Sequence, residues 1–159
     1  MKILVISDSH GYNGNILEVL QKVTDIDMLI HLGDGETEFE NIKKSYPNIK
    51  MYHVAGNCDY DSNSPNELVI PVDYNLKIFA THGHRYYVKY SLEAIKSSAL
   101  ENRCSIALFG HTHERLQKYE DGLYILNPGS ISCPRDNNKP SYGIIDISKS
   151  GIMTNIADV

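Results

Sequence analysis

Cysteine is scarce in this chain: Cys58, Cys104 and Cys133 are odd in number, widely spaced and never in a CxxC pair. Neither a disulfide framework nor a thiolate zinc knuckle is indicated, and a reducing, cytoplasmic setting is the expectation. Long hydrophobic runs are missing as well. The apolar stretch after Lys2 spans only Ile3 to Ile6 before Ser7 and Asp8 interrupt it, too short for a signal-peptide core or a membrane span. Positive charge is in deficit, with 15 Lys and Arg against 20 Asp and Glu and a net charge of -5. Extensive sequence-independent nucleic-acid binding, which needs basic surface to release counterions, is therefore not expected. No linker, low-complexity tract or internal repeat interrupts the 159 residues, so one domain over residues 1–159 is predicted. That length buries roughly 70% of the surface of the unfolded chain. A homo-oligomer is left open.

What the chain has in abundance is short apolar, β-branched runs: Ile3–Ile6, Met28–Leu32, Met51–Ala55, Leu68–Val72, Ile78–Ala80, Ile106–Phe109, Leu123–Leu126 and Ile144–Ile147. These predict strands. Between the first two, Ile16, Leu17, Leu20 and Val23 predict an inward helix face, with Asn13 or Asn15 as the cap. Further helices are predicted from about Glu36 to Tyr46, with Phe39 and Ile42 inward, and from about Ser91 to Glu101. From Ile106 onward the pattern is strands joined by turns such as Asp121-Gly122 and Ser150-Gly151. So many strands in a chain of this length suit two packed mixed sheets flanked by helices, an α/β arrangement.

Five of these runs end in small polar clusters. Asp8-Ser9-His10 follows the first run, Gly33-Asp34-Gly35 the second, Gly56-Asn57-Cys58-Asp59 the third, His82-Gly83-His84 the fifth and Gly110-His111-Thr112-His113 the sixth. Ligands bind outside the carboxyl ends of strands in open α/β sheets, so the clusters are expected to converge on one edge. Aspartate, histidine and an asparagine carbonyl are ligands for divalent metals, and seven such groups exceed the needs of one ion. They suit two ions sharing a carboxylate, an arrangement that clamps the attacking and leaving oxygens of phosphoryl hydrolysis. His31 and His53, inside or beside apolar runs, read as structural residues.

In this order the five motifs resemble the calcineurin-like metallophosphoesterase superfamily, nearest to its small single-domain bacterial and archaeal phosphodiesterase branch. Asn127-Pro128-Gly129-Ser130 resembles a further motif of that branch, so the likeness spans essentially the whole chain. The resemblance implies a four-layer αββα sandwich and two divalent ions, with manganese expected and nickel, cobalt, iron or zinc possible. One ion would be held by Asp8, His10, Asp34 and His113 and the other by Asp34, Asn57, His82 and His111, with Asp34 as the bridge. A hydroxide between the ions would attack phosphorus in line, since coordination lowers the pKa of water to about 7. Many superfamily members carry histidine after the metal-binding asparagine, where this chain has Cys58, a poor replacement for imidazole near neutral pH.

His84, two residues beyond His82, is the candidate to compensate, and Asp59 is expected to orient a histidine ligand by accepting its second N–H. Ser130, Arg135 and Arg85 are expected to meet substrate phosphate oxygens, and Cys104 and Cys133 to pack in the core. Tyr86, Tyr87 and Tyr90 suit either an apolar wall for an aryl group or ordinary packing. The favoured reading is a phosphodiesterase acting on a small phosphodiester or phosphomonoester. Two alternatives stand beside it: hydrolysis of a non-phosphate ester or amide, and an interaction scaffold of the kind found in a retromer subunit of the same superfamily.

Overall fold

Alternation along the first strand decides the layering. In the computed structural model, which describes residues 1–159, β1 (Lys2–Ile6) turns Ile3 and Val5 to one face and Leu4 and Ile6 to the other. A strand apolar on both faces must be covered on both. β1 runs parallel to β2 (Met28–His31), which pairs in parallel with β3 (Lys50–His53). The C-terminal hairpin of β9 (Ser141–Ser148) and β10 (Gly151–Asp158) adds antiparallel on the other side, giving the order β10-β9-β1-β2-β3.

The second sheet has the order β4-β5-β6-β8-β7. Here β5 (Lys77–Thr81), β6 (Ile106–Leu108) and β8 (Leu123–Pro128) are parallel, while β4 (Glu67–Pro71) and β7 (Arg115–Glu120) close the edges antiparallel. Between the sheets lie Ile3, Val5, Met28 and Ile30 from one side and Ile78, Ala80, Ile106 and Leu108 from the other. Each large side chain buried there contributes about 1.5–3 kcal/mol. α1 (Gly14–Lys22) and α2 (Glu36–Ser45) cover the outer face of the first sheet through Ile16, Val19, Phe39 and Ile42. α3 (Glu93–Glu101) covers the second through Ile95 and Ala99, packed near Cys104 and Phe109. The result is the predicted four-layer sandwich.

Some local expectations give way. Leu17 faces solvent, and α1 buries Ile16 and Val19 instead. The i, i+3, i+4, i+7 positions that follow from Ile16 are Val19, Leu20 and Val23, and Leu17 is one step off that stripe. Neither asparagine caps the helix: Asn13 holds the cap position without a side-chain bond, and the amide of Asn15 donates to the carbonyl oxygen of Ile131 at 2.7 Å. The apolar runs also missed β7 and β10. Both are edge strands with exposed positions, so polar residues interrupt the signal that marks central strands.

Candidate metal centre

The loops after β1, β2, β3, β5 and β6 bring their polar residues to one edge of the sandwich. Nε2 of His113 lies 3.2 Å and that of His10 3.9 Å from Oδ1 of Asp8. Nε2 of His10 is 3.8 Å and that of His82 3.4 Å from Oδ2 of Asp34. The two imidazole nitrogens of His10 and His113 are 3.1 Å apart, and Oδ1 of Asn57 is 3.2 Å from Nε2 of His82. His111 meets the group through its ring, 5.1 Å from that of His82. Asp8, Asp34, His82 and His113 are buried.

The backbone is bent to achieve this. Asp8, His10, Asp34, His111 and His113 all have positive φ, between 44° and 69°, a region costly for non-glycine residues and concentrated at functional sites. Glycine makes the close approach possible at Gly56, where an added Cβ would strike the Asp34 carboxylate, and at Gly110, where it would strike the Ser7 hydroxyl and crowd Asp8.

Hydrogen bonds fix which atoms face inward. Nδ1 of His82 donates to the Leu32 carbonyl oxygen at 2.6 Å, and Nδ1 of His113 donates to that of Cys133 at 2.7 Å. As neutral rings, both then present the Nε2 lone pair to the centre. Oδ2 of Asp8 accepts from the Ser7 hydroxyl and the His111 N–H, and Oδ1 of Asp34 accepts from the Cys58 N–H. The remaining carboxylate oxygens face the histidines, and Oδ1 of Asp8 is buried with no hydrogen-bond partner. Lone pairs facing lone pairs call for a cation, so the donor set fits divalent metal.

The electrostatics agree. Burial works to raise the Asp8 carboxyl, but the close approach of His113, the charge of His82 and the Ser7 hydroxyl hold it below its ordinary range. Asp34 is likewise held below its ordinary range, against burial, by His82 and the Cys58 backbone. His82 and His113 rise in spite of burial, drawn up by Asp34 and Asp8 respectively. Such a site attracts either a proton or a metal ion. Burial, with His82 alongside, pushes His111 down to about 4, leaving it neutral and free to donate a lone pair.

Several residues are placed differently from expectation. Asp59 orients none of the four candidate histidine ligands: its carboxylate accepts the backbone N–H groups of Asp34, Gly35, Glu36 and Gly56, each at 2.8–2.9 Å. The histidine beside it is His53, whose Nε2 is 3.6 Å away. Ser130 is fully buried. Its hydroxyl donates to the Asp8 carbonyl oxygen at 2.7 Å and accepts from the N–H groups of Ser132 and Cys133, so it braces the centre and has no capacity left for substrate. Asn127 likewise ties down Gly110 and Thr112.

Cys104 packs in the core as expected, whereas Cys133 is exposed and contributes its carbonyl oxygen to His113. Burial and Asp34 push the Cys58 thiol up, so it stays protonated. The ring of His84 sits 5.3 Å from His82 and 6.0 Å from His111, with Nδ1 unpartnered. Arg85 and Arg135 are exposed, and the backbone N–H of Arg135 donates to the His113 carbonyl oxygen. Tyr86 packs edge-on against Phe79, while Tyr87 and Tyr90 are exposed. Sequence reading missed Ser7 and the Leu32 carbonyl; a backbone acceptor leaves no mark in residue identity.

Residues 1–150 match the model of the calcineurin-like phosphoesterase superfamily domain. A phosphodiesterase of Methanocaldococcus jannaschii is 33% identical over 167 residues, covering 94% of this chain and 95% of the relative. The crystal structure of a predicted phosphoesterase from Streptococcus pneumoniae superposes with a TM-score of 0.84 at 30% identity, over 99% of this chain and 88% of that one. Wild-type Vps29 of Entamoeba histolytica, complexed with zinc, superposes at 0.77 with 24% identity over 99% of each chain, a likeness of fold. The chain belongs to the calcineurin-like phosphoesterase superfamily.

Proposed function

We propose that the protein is a metal-dependent phosphoric ester hydrolase, a phosphodiesterase whose single domain over residues 1–159 holds two divalent ions and works in the cytoplasm. The observation that carries this reading is the face-to-face set of acceptors: the carboxylate oxygens of Asp8 and Asp34 opposite the Nε2 atoms of His113, His10 and His82. Asp8, His10, Asp34 and His113 form one ligand set, and Asp34, Asn57, His82 and His111 the other, with Asp34 bridging. When bound, the two ions supply an activated water for in-line attack and neutralise charge on the phosphoryl oxygens.

The chain's own residues do the positioning. The carbonyl oxygens of Leu32 and Cys133 lock two imidazoles with Nε2 inward, and such outer partners typically govern affinity about 10–100-fold. His84, beside His82 and His111 with a free Nδ1, assists the departing alcohol where Cys58 stays a neutral thiol. The exposed guanidinium groups of Arg85 and Arg135 attract the anionic substrate. Manganese is the expected ion, although the nitrogen and oxygen donors also accept iron, cobalt, nickel or zinc.

The test strips the purified protein with chelator, reloads it with manganese and measures turnover of bis-aryl and mono-aryl phosphates. Wild type is expected to prefer the diester, and Asp34→Asn and His111→Ala to lose nearly all turnover. Absence of metal-dependent turnover on both substrates would favour a scaffold role, for which the shared Vps29 fold is the precedent. His84→Ala is expected to slow an alkyl leaving group more than 4-nitrophenolate with metal content unchanged. Equal slowing of both would remove His84 from that role.

A further inference from the structure

A cavity of about 460 Å³ is built from the segment Val88–Leu92, the stretch Phe109–Leu116 and Arg135, a volume within the range of small-molecule sites, roughly 300–1,000 Å³. Its wall is continuous with the loops that carry His82, His111 and His113. Thr112, which lines it, lies between His111 and His113. Val88 donates its backbone N–H at 3.5 Å to the carbonyl oxygen of Gly83, the residue after His82. The contact is close: a Cβ added to Gly83 would sit 2.8 Å from the Val88 side chain and 3.4 Å from that of Phe109. The backbone N–H of Arg135 donates to the His113 carbonyl oxygen at 3.0 Å. A phosphate ester held by these histidines therefore has the cavity as its neighbour.

The lining has an apolar part and a basic part. Val88 and Phe109 are buried and Leu92 and Leu116 half-buried, a surface on which an apolar group gains by leaving water. Tyr90 stands at the same cavity with 88% of its surface exposed, more than any other large apolar side chain of the chain, and so offers a free ring face for stacking. Among the charged residues, Arg115 is engaged by Asp158 at 2.6 Å and by the Lys139 carbonyl oxygen at 2.7 Å. Lys89 and Arg135 have no ion pair within the chain, and Glu114 is the one carboxylate of the lining. After burial and His82, Lys89 is the next influence that pushes His111 down, so its charge reaches the centre. The other opening beside the centre, with Glu36, Glu38 and Asp59, is acidic.

From the apolar, basic cavity that shares its wall with the histidine loops we infer that the protein selects phosphodiesters in which one alcohol carries an aromatic ring and, beyond it, a second anionic group. The inference rests on the phosphodiesterase reading and specifies its substrate class. With phosphate at the metals, the ring passes Thr112 onto Val88, Phe109 and Leu116 and stacks on Tyr90, and the second anion meets Lys89 and Arg135. The acidic cleft repels the same arm, so the two openings fix which way the substrate lies.

The experiment titrates the manganese-loaded protein by calorimetry with methylphosphonate, benzylphosphonate and 4-carboxybenzylphosphonate, each of which has a single arm. The ring is expected to tighten binding at least about tenfold over methyl. The carboxylate is expected to add roughly three- to fivefold, a gain that shrinks as salt is raised. Tyr90→Ala should lower the first ratio, and the double variant Lys89→Met, Arg135→Met should bring the second near one. These side chains are exposed, so the variants keep the fold. Equal binding of methyl- and benzylphosphonate, or a carboxylate gain unmoved by the double variant, overturns the inference. Inhibition of bis(4-nitrophenyl) phosphate turnover by the same series should follow the same order, and inhibition in a different order overturns it too. If that diester is not hydrolysed, the proposed activity fails, yet the expected order of binding and its loss in the variants still uphold the cavity. Failure of all three phosphonates to bind overturns it.

Discussion

Oδ2 of Asp59 accepts the backbone N–H of Asp34 over 2.8 Å, so one carboxylate fixes the main chain from which the other projects. The same oxygen takes the N–H of Gly56, joining the loops after β2 and β3. Asparagine at position 59 offers one acceptor oxygen where the carboxylate serves four N–H groups, and it turns an amide N–H toward donors. Asp59→Asn is expected to weaken metal binding about 10–100-fold and to lower stability by about 1.5–3 kcal/mol. Metal titration by calorimetry and urea unfolding check both, and unchanged metal affinity would refute the positioning role.

Gly110 has an ordinary backbone conformation but no room for a side chain, because a Cβ there would meet the Ser7 hydroxyl and the Asp8 carboxylate. Gly110→Ala is therefore expected to displace Asp8 while the sandwich still forms. A displacement of about 1 Å at a reacting centre costs on the order of 100-fold in rate. Circular dichroism should stay native while manganese-dependent turnover drops; retained turnover would show that the loop yields without cost.

Ser130 separates a brace from a substrate contact. Its hydroxyl joins the Asp8 carbonyl oxygen to the loop that carries Cys133 and hence to His113. Ser130→Ala leaves buried groups unsatisfied, at about 1–3 kcal/mol of stability, and loosens metal binding. At saturating metal KM is expected to stay close to wild type. A raised KM with unchanged stability would return Ser130 to substrate binding.

His31 makes stability depend on pH. It is fully buried, its Nδ1 accepts the Gly33 N–H and its Nε2–H donates to the Ser9 hydroxyl. Protonating Nδ1 would set donor against donor. Burial, with His53 nearby, lowers the folded pKa to about 3, against about 6.5 in the unfolded chain. The unfolded chain thus binds the extra proton first. The contribution is complete above pH 6.5 and is lost as pH falls toward 3, at up to about 1.4 kcal/mol per pH unit. Urea unfolding of metal-free protein between pH 6.5 and 4.5 should give a shallower slope for His31→Gln than for wild type. Parallel slopes would show that His31 is already charged in the fold.

Much of this architecture is local information. The unbroken apolar run Ile3-Leu4-Val5-Ile6 requires cover on both faces and so announces a layered α/β fold. The polar clusters after successive strands announce a site, because strand ends of parallel sheets share an edge. The spacing that buries Val19 in place of Leu17 was legible too, from the 3.6-residue period alone.

Residue identity alone determined which donors this chain offers and in what order, since metal preference follows from aspartate, histidine and asparagine chemistry. Tertiary structure decided how those donors are aimed and which neighbours serve them. Asp59 became a clamp on four N–H groups because two loops distant in sequence cross within reach of its carboxylate. Ser130 became a brace because the turn after β8 brings its hydroxyl within reach of the Asp8 carbonyl oxygen. Hydrogen bonds between segments depend on distances and angles that no single stretch of chain encodes, so these assignments appear only once the sheets have packed.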